Sequence, residues 1–185
     1  AFQRRSLSRL AQIQLAQGSE ENAVNTYRLL AQKAKNKRDL GNALSGIMKV
    51  YYKQNKADSA LYYADKIIEG GKFSQDATSK AQLIKAKIKM ATANYAEAED
   101  VLITLANGIQ DETAAEANYE LGKLYYKADK YKNSLQTLFE LNRKFAAYDQ
   151  WVALSFLLIA DNYIKLEELF QAKATLNSII SNAKD

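Results

Sequence analysis

Apolar residues recur along this chain at spacings of three and four, and no stretch sustains a period of two. Such spacing predicts amphipathic helices and no strands. Leu121, Gly122 and Tyr125 share one helical stripe, Asp129-Lys130 interrupts it, and Tyr131, Ser134, Leu135, Leu138 and Leu141 make the next. Similar breaks at Gly18-Ser19, Asn55-Lys56, Ala93-Asn94 and Glu167-Glu168 predict five pairs of antiparallel helices. Between the pairs, Asp39, Asp76, Asp111 and Asp149 precede apolar starts, where an N-cap carboxylate would satisfy orphan N–H groups. Gly70-Gly71 and Asn107-Gly108 are the expected stops, because Gly and Asn tolerate the left-handed conformation past a helix end.

The pattern is also periodic over a longer range. KVYYKQNKADSAL from Lys49 aligns with KLYYKADKYKNSL from Lys123, and KMATANYAEAEDVL from Lys89 lies between them. Small residues anchor each copy at Ala23, Ala60, Ala98, Ser134 and Ala172, with spacings of 37, 38, 36 and 38. Five units fill the chain, at about 4–40, 41–78, 79–114, 115–152 and 153–185. A second small residue stands twelve positions earlier in four of them: Ala11, Ala86, Gly122 and Ala160, with Met48 the exception. Close crossing of two helix backbones requires small side chains at the crossing point, and a repeated interval implies a repeated crossing.

These residues resemble the tetratricopeptide-repeat family. Leu121-Gly122-x-x-Tyr125 with Asp129, Tyr131, Ser134, Leu138 and Leu141 is the nearest copy of its motif. Ile159-Ala160-x-x-Tyr163 with Leu169, Ala172, Leu176 and Ile179 follows, then Leu10-Ala11 with Gly18, Ala23, Tyr27 and Leu30. The units exceed the family's usual length and lack its Pro, and its early Trp is replaced by Leu7, Leu44, Gln82, Asn118 and Ser155. The resemblance implies an all-α, right-handed solenoid of about ten helices in one domain. The last unit, from Trp151, resembles terminal segments of long bacterial envelope proteins of this kind, which implies a periplasmic or envelope setting, with the cytoplasm as alternative.

Composition narrows the chemistry. The 185 residues include no Cys, His or Pro, so thiol, imidazole and disulfide chemistry is excluded. Glu116 and Glu120 lie on one helix face, but a dinuclear carboxylate site in a bundle also needs His, and the pair reads as a solvated edge. No phosphate loop follows Gly70-Gly71. No enzyme, cofactor or metal is expected. The longest apolar stretch, Val152 to Ala160, is too short to cross a bilayer. Starting at Ala1-Phe2 without Met, the chain is expected to be a fragment of a longer protein.

The net charge is +5, with 26 basic and 21 acidic residues. Its densest runs, Lys33, Lys35, Lys37, Arg38 and Lys80, Lys85, Lys87, Lys89, lie near acidic residues and read as solvated faces, so nucleic acid is a minor alternative. The resemblance implies a concave groove on the first helices that binds a protein or an extended peptide, for which an acidic sequence is the expected chemistry. By helical position that face holds Lys49, Tyr52 and Lys53; Lys80, Lys87 and Met90; Tyr119, Lys123, Tyr126 and Lys127; and Leu157, Asp161, Ile164 and Lys165. Lys49, Lys87 and Lys123 occupy one register position, and Tyr52 and Tyr126 flank it. One Tyr of Tyr51-Tyr52 and of Tyr125-Tyr126 should lie in the core and one outside. The family's clamp for terminal carboxylates would fall on Ser8, Gln12, Gly46, Lys80 and Ile84, or on Ser45, Lys49, Ile84, Glu116 and Glu120, and neither set supplies it. The alternatives are a structural spacer, or self-association through the last helix, whose Leu176, Ile179 and Ile180 have no sixth unit to cover them.

Overall fold

The computed structural model describes residues 2–70 and 73–182, which form ten helices and no strand. They are α1 (Phe2–Ala16), α2 (Glu20–Gln32), α3 (Lys37–Lys53), α4 (Ala57–Glu69), α5 (Gln75–Ala91), α6 (Tyr95–Ala106), α7 (Glu112–Lys127), α8 (Tyr131–Lys144), α9 (Asp149–Lys165) and α10 (Leu169–Asn182). By internal contacts the chain divides into two compact units, Ala1–Ile88 and Lys89–Asp185. The first holds α1 to α4 and most of α5, and the second holds the remainder.

The five turns within pairs fall where the sequence breaks predicted them, and each spans three residues. Each also carries a left-handed residue at the same place: Gly18 (φ 74°), Asn55 (56°), Ala93 (59°), Asp129 (58°) and Glu167 (62°). The next residue's N–H reaches back across the helix end. Ser19 donates to Gln14 O at 2.8 Å, Lys56 to Tyr51 O at 2.9 Å, Asn94 to Lys89 O at 2.9 Å, Lys130 to Tyr125 O at 2.9 Å and Glu168 to Tyr163 O at 2.8 Å. This closure satisfies a carbonyl that the helix end would otherwise strand, and it needs the left-handed residue to turn the chain.

Two expectations about the connections between pairs need correction. Of the four Asp, only Asp111 is an N-cap, its carboxylate accepting the Ala114 N–H at 2.9 Å. Asn36 caps α3 by accepting the Asp39 N–H at 2.8 Å, and Ser74 Oγ accepts the Ala77 N–H at 3.3 Å at the start of α5. Asp39, Asp76 and Asp149 lie in the first turns of their helices, where a carboxylate still complements the helix dipole. Nor are the expected stops left-handed: Gly70 has φ −63° and Asn107 φ −96°, and Gly108 is not among the positive-φ residues. Gly71 lies outside the described residues.

The small-residue register is the buried seam of the fold. Ala11, Ala23, Met48, Ala60, Ala98 and Ser134 are fully buried, and Ala86, Ala160 and Ala172 nearly so. At Gly122 the crossing of α7 and α8 is so close that a Cβ would stand 2.7 Å from Leu138 Cδ2. In the first unit, Val24, Tyr27, Leu30, Ile47 and Val50 pack as one cluster, and Met48, Ala60, Ile67, Ile84 and Ile88 as another. In the second unit the core is more polar. Buried Asn162 donates to Ser134 Oγ at 2.9 Å and to Leu158 O at 2.7 Å, tying α9 to α8. Buried Asn118 donates to Ala106 O at 3.3 Å and to Ala114 O at 2.9 Å, tying α7 to α6. Each amide nitrogen thus offsets its desolvation in part through the neighbouring helix, while Asn162 Oδ1 is buried without a hydrogen-bond partner among the described residues.

Candidate functional site

The face of the first helices is described within each unit. In the first, Lys87 on α5 places its Nζ 5.3 Å from the centroid of Tyr52 on α3. Cation–π attraction joins two of the predicted residues across successive first helices. Lys49 and Lys53 are exposed on α3. Lys53 pairs with Glu20 at 3.1 Å, and Gln54 donates to the same carboxylate at 3.0 Å. These two contacts, Gln54 first, hold the Glu20 carboxyl below its ordinary pKa. Lys80 pairs with Asp76 one turn earlier at 2.5 Å.

In the second unit, Lys123 lies 5.9 Å from the Tyr119 centroid and 3.2 Å from the Glu120 carboxylate. Tyr119 in turn packs against Trp151, their centroids 5.7 Å apart. Tyr126 meets Tyr131 edge to face at 5.7 Å, and Lys127 is exposed at the end of α7. Leu157, Asp161, Ile164 and Lys165 are exposed on one side of α9. Asp161 occupies the register position of Lys49, Lys87 and Lys123, so the basic register ends in an acid.

Three assignments change. Met90 is only 4% exposed, so its thioether packs inside and offers no surface to a partner. Glu120 is 4% exposed and bonded to Lys123, not part of a solvated edge, because its helix face turns inward there. Tyr51, Tyr52, Tyr125 and Tyr126 are all half-buried, since each ring lies along a helix seam and neither of a pair is wholly inside or outside. Tyr51 accepts a bond from Arg28 at 2.9 Å. Tyr125 donates to Glu99 at 2.9 Å, and burial, then that carboxylate, push its hydroxyl up to about 12. It remains a protonated donor throughout the neutral range.

The proposed clamp positions fare no better than their chemistry suggested: Gly46, Ser45, Ile84 and Glu120 are buried, and Gly46 lies against the Tyr27 ring. Sequence reasoning also missed a recurring feature. Lys56 lies 5.8 Å from Tyr51 and Lys130 lies 5.7 Å from Tyr125, in the same place in the second and fourth pairs. The repeated segments from Lys49 and Lys123 carried that signal, a Tyr and a Lys five residues apart across the turn. Among the described residues, no group of three or more acidic side chains is gathered as a metal would require, and no helix is long and apolar enough to cross a membrane.

No family model matches this chain, and no curated protein matches it. Solved structures do. The chain is similar to Pseudomonas aeruginosa PilF at a TM-score of 0.77 and 15% identity, covering 98% of this chain and 77% of that one. A tetratricopeptide repeat protein from Parabacteroides merdae matches at a TM-score of 0.70 and 17% identity, over 98% and 66% of the two chains. Residues 41 to the end of MamA from Desulfovibrio magneticus RS-1 match at a TM-score of 0.70 and 15% identity, over 98% and 95%. At such identities the likeness speaks of backbone alone, and that backbone accords with the helix pairs and small-residue register found above. The chain has the helical-repeat fold of the tetratricopeptide proteins.

Proposed function

We propose that this chain is a non-catalytic scaffold that binds a protein or extended peptide along its first helices. The observation that carries the reading is the Lys87–Tyr52 pair, which sets a cation against a half-buried aromatic between two neighbouring first helices. An amphipathic ring beside a charge gives a peptide both apolar area and electrostatic direction. Lys49 and Lys53 extend this patch in the first unit. Tyr119, Lys123, Tyr126 and Lys127, with Leu157, Asp161 and Lys165, form the corresponding candidate surface in the second. The five pairs are taken as one solenoid domain, without cofactor.

Selection from a displayed peptide library tests this. Peptides held by the wild type should weaken against Tyr52→Ala/Lys87→Glu, against Lys123→Glu/Tyr126→Ala, or against both. Peptides held equally by all three proteins would refute the proposed face.

A second reading rests on α10, where Phe170 is 84%, Ile180 73% and Leu169 64% exposed. Such an apolar face favours self-association. Light scattering at high concentration should then show a dimer that Phe170→Glu dissolves, and a wild-type monomer would discard this reading.

A further inference from the structure

The net charge is not spread along the chain. Eight of the 26 basic residues and three of the 21 acidic ones lie in residues 1–40, so this stretch carries the whole +5, and residues 41–185 balance at 18 of each sign. Arginine is concentrated there too, with Arg4, Arg5, Arg9, Arg28 and Arg38 all before residue 40 and only Arg143 after. The fold gathers part of this charge into a cleft of about 390 Å³ within the first unit. Arg4, Arg5 and Ser8 line it from α1, and Arg38, Asp39 and Asn42 from the start of α3.

The three arginines differ in their partners. Arg4 is fixed, its Nε 2.7 Å from Asp39 Oδ2, which leaves its two terminal nitrogens to face other groups. Arg5 and Arg38 are exposed, and neither makes an ion pair or hydrogen bond among the described residues. Elsewhere most of the charge clusters are matched: Lys80, Lys85 and Lys89 pair with Asp76, Asp65 and Glu97. The cleft therefore holds an uncompensated pair of guanidinium forks beside hydroxyl and amide groups. That donor set suits planar carboxylates, which two N–H groups of one guanidinium can grip together.

We infer that this cleft binds an acidic peptide segment, with Arg5 and Arg38 engaging Asp or Glu carboxylates and Asp39 holding Arg4 in place. Asp39 in the lining opposes a doubly charged phosphate more than a single carboxylate. The balanced charge of residues 41–185 provides no further excess of cations for a nucleic-acid backbone to follow. The cleft lies on α1 and α3, two of the first helices, so the inference rests on the reading above and extends it to residues outside the named face; which variants lose binding tells the two apart.

The test is fluorescence anisotropy with a labelled ten-residue Asp/Glu-rich peptide, its Asn/Gln counterpart and a single-stranded oligonucleotide of similar length. The wild type should bind the acidic peptide saturably and bind the amide peptide hardly at all. Arg5→Gln/Arg38→Gln should weaken binding about tenfold or more, since bonds to charged groups are being removed. Lys132→Gln/Arg143→Gln, exposed on the second helix α8, should leave it within about twofold, as expected for charges outside the contact. Arg5 and Arg38 are exposed and unpaired, so the double variant should melt with the wild type, which a thermal scan by circular dichroism checks. Failure of the wild type to bind, equal binding by a folded double variant, or preference for the oligonucleotide would each overturn the inference.

Discussion

Each turn within a helix pair spans three residues around one left-handed position, whereas the connections between pairs span four or five and share no such position among the described residues. The 36- to 38-residue period arises outside the turn. α6, the shortest helix at 12 residues, lies in the 36-residue interval, and the other intervals differ through helix length and the connection. A pair is thus a nearly invariant unit, because its turn and its small-residue crossing are both sterically fixed. The connection between pairs has only to deliver the next helix, and several cap chemistries do that: Asn36, Ser74 and Asp111 accept N–H groups, while Tyr148 uses no side chain at all.

The contrast can be broken first at the crossing. Gly122→Leu must push against buried Leu138, and overpacking of this kind costs about 1–3 kcal/mol. Urea denaturation measures it, and an unchanged midpoint would mean that α7 and α8 can separate freely. Next is the turn itself. Gly18 has open space around an added Cβ, so Gly18→Ala isolates the left-handed strain and should cost about 1–2 kcal/mol. Ala93→Gly should recover a similar amount, because exposed Ala93 has φ 59° without glycine's freedom. Melting temperatures that move the same way for both would contradict this account. The smallest effects belong to the connections. Asp111→Ala should lose roughly 1 kcal/mol with its cap bond. Asp149→Ala, with no capping role, should lose only about 0.3–1 kcal/mol of dipole interaction. Equal losses would erase the distinction between an N-cap and a first-turn acid.

Much of the fold was legible in order along the chain. Breaks at Gly18, Asn55, Ala93, Asp129 and Glu167 fell at the observed turns, although only three of these residues, Gly18, Asn55 and Asp129, are usual left-handed formers. The repeat located Ala93 and Glu167 where propensity alone would not. Caps were read less well: Asp is equally plausible at the N-cap or in the first turn, and only backbone geometry separates these positions. The candidate face was legible as a register of Lys49, Lys87 and Lys123, but Met90 shows the limit of helical position as a guide. One residue of rotation decides between solvent and core.

Periodicity is local chemistry repeated, so the sequence by itself determined the helix pairs, their number, their small-residue seam and the absence of thiol and imidazole chemistry. Tertiary structure decided which charges face which partners. It placed Lys87 on Tyr52, buried Glu120 beside Lys123, linked Asn162 to Ser134, and left Arg5 and Arg38 unpaired in a cleft while Asp39 took Arg4. Apart from Glu120 and Lys123, one turn apart on α7, those pairings join residues far apart in sequence. Their distances follow from how helices pack, and the order of residues along one helix does not contain them.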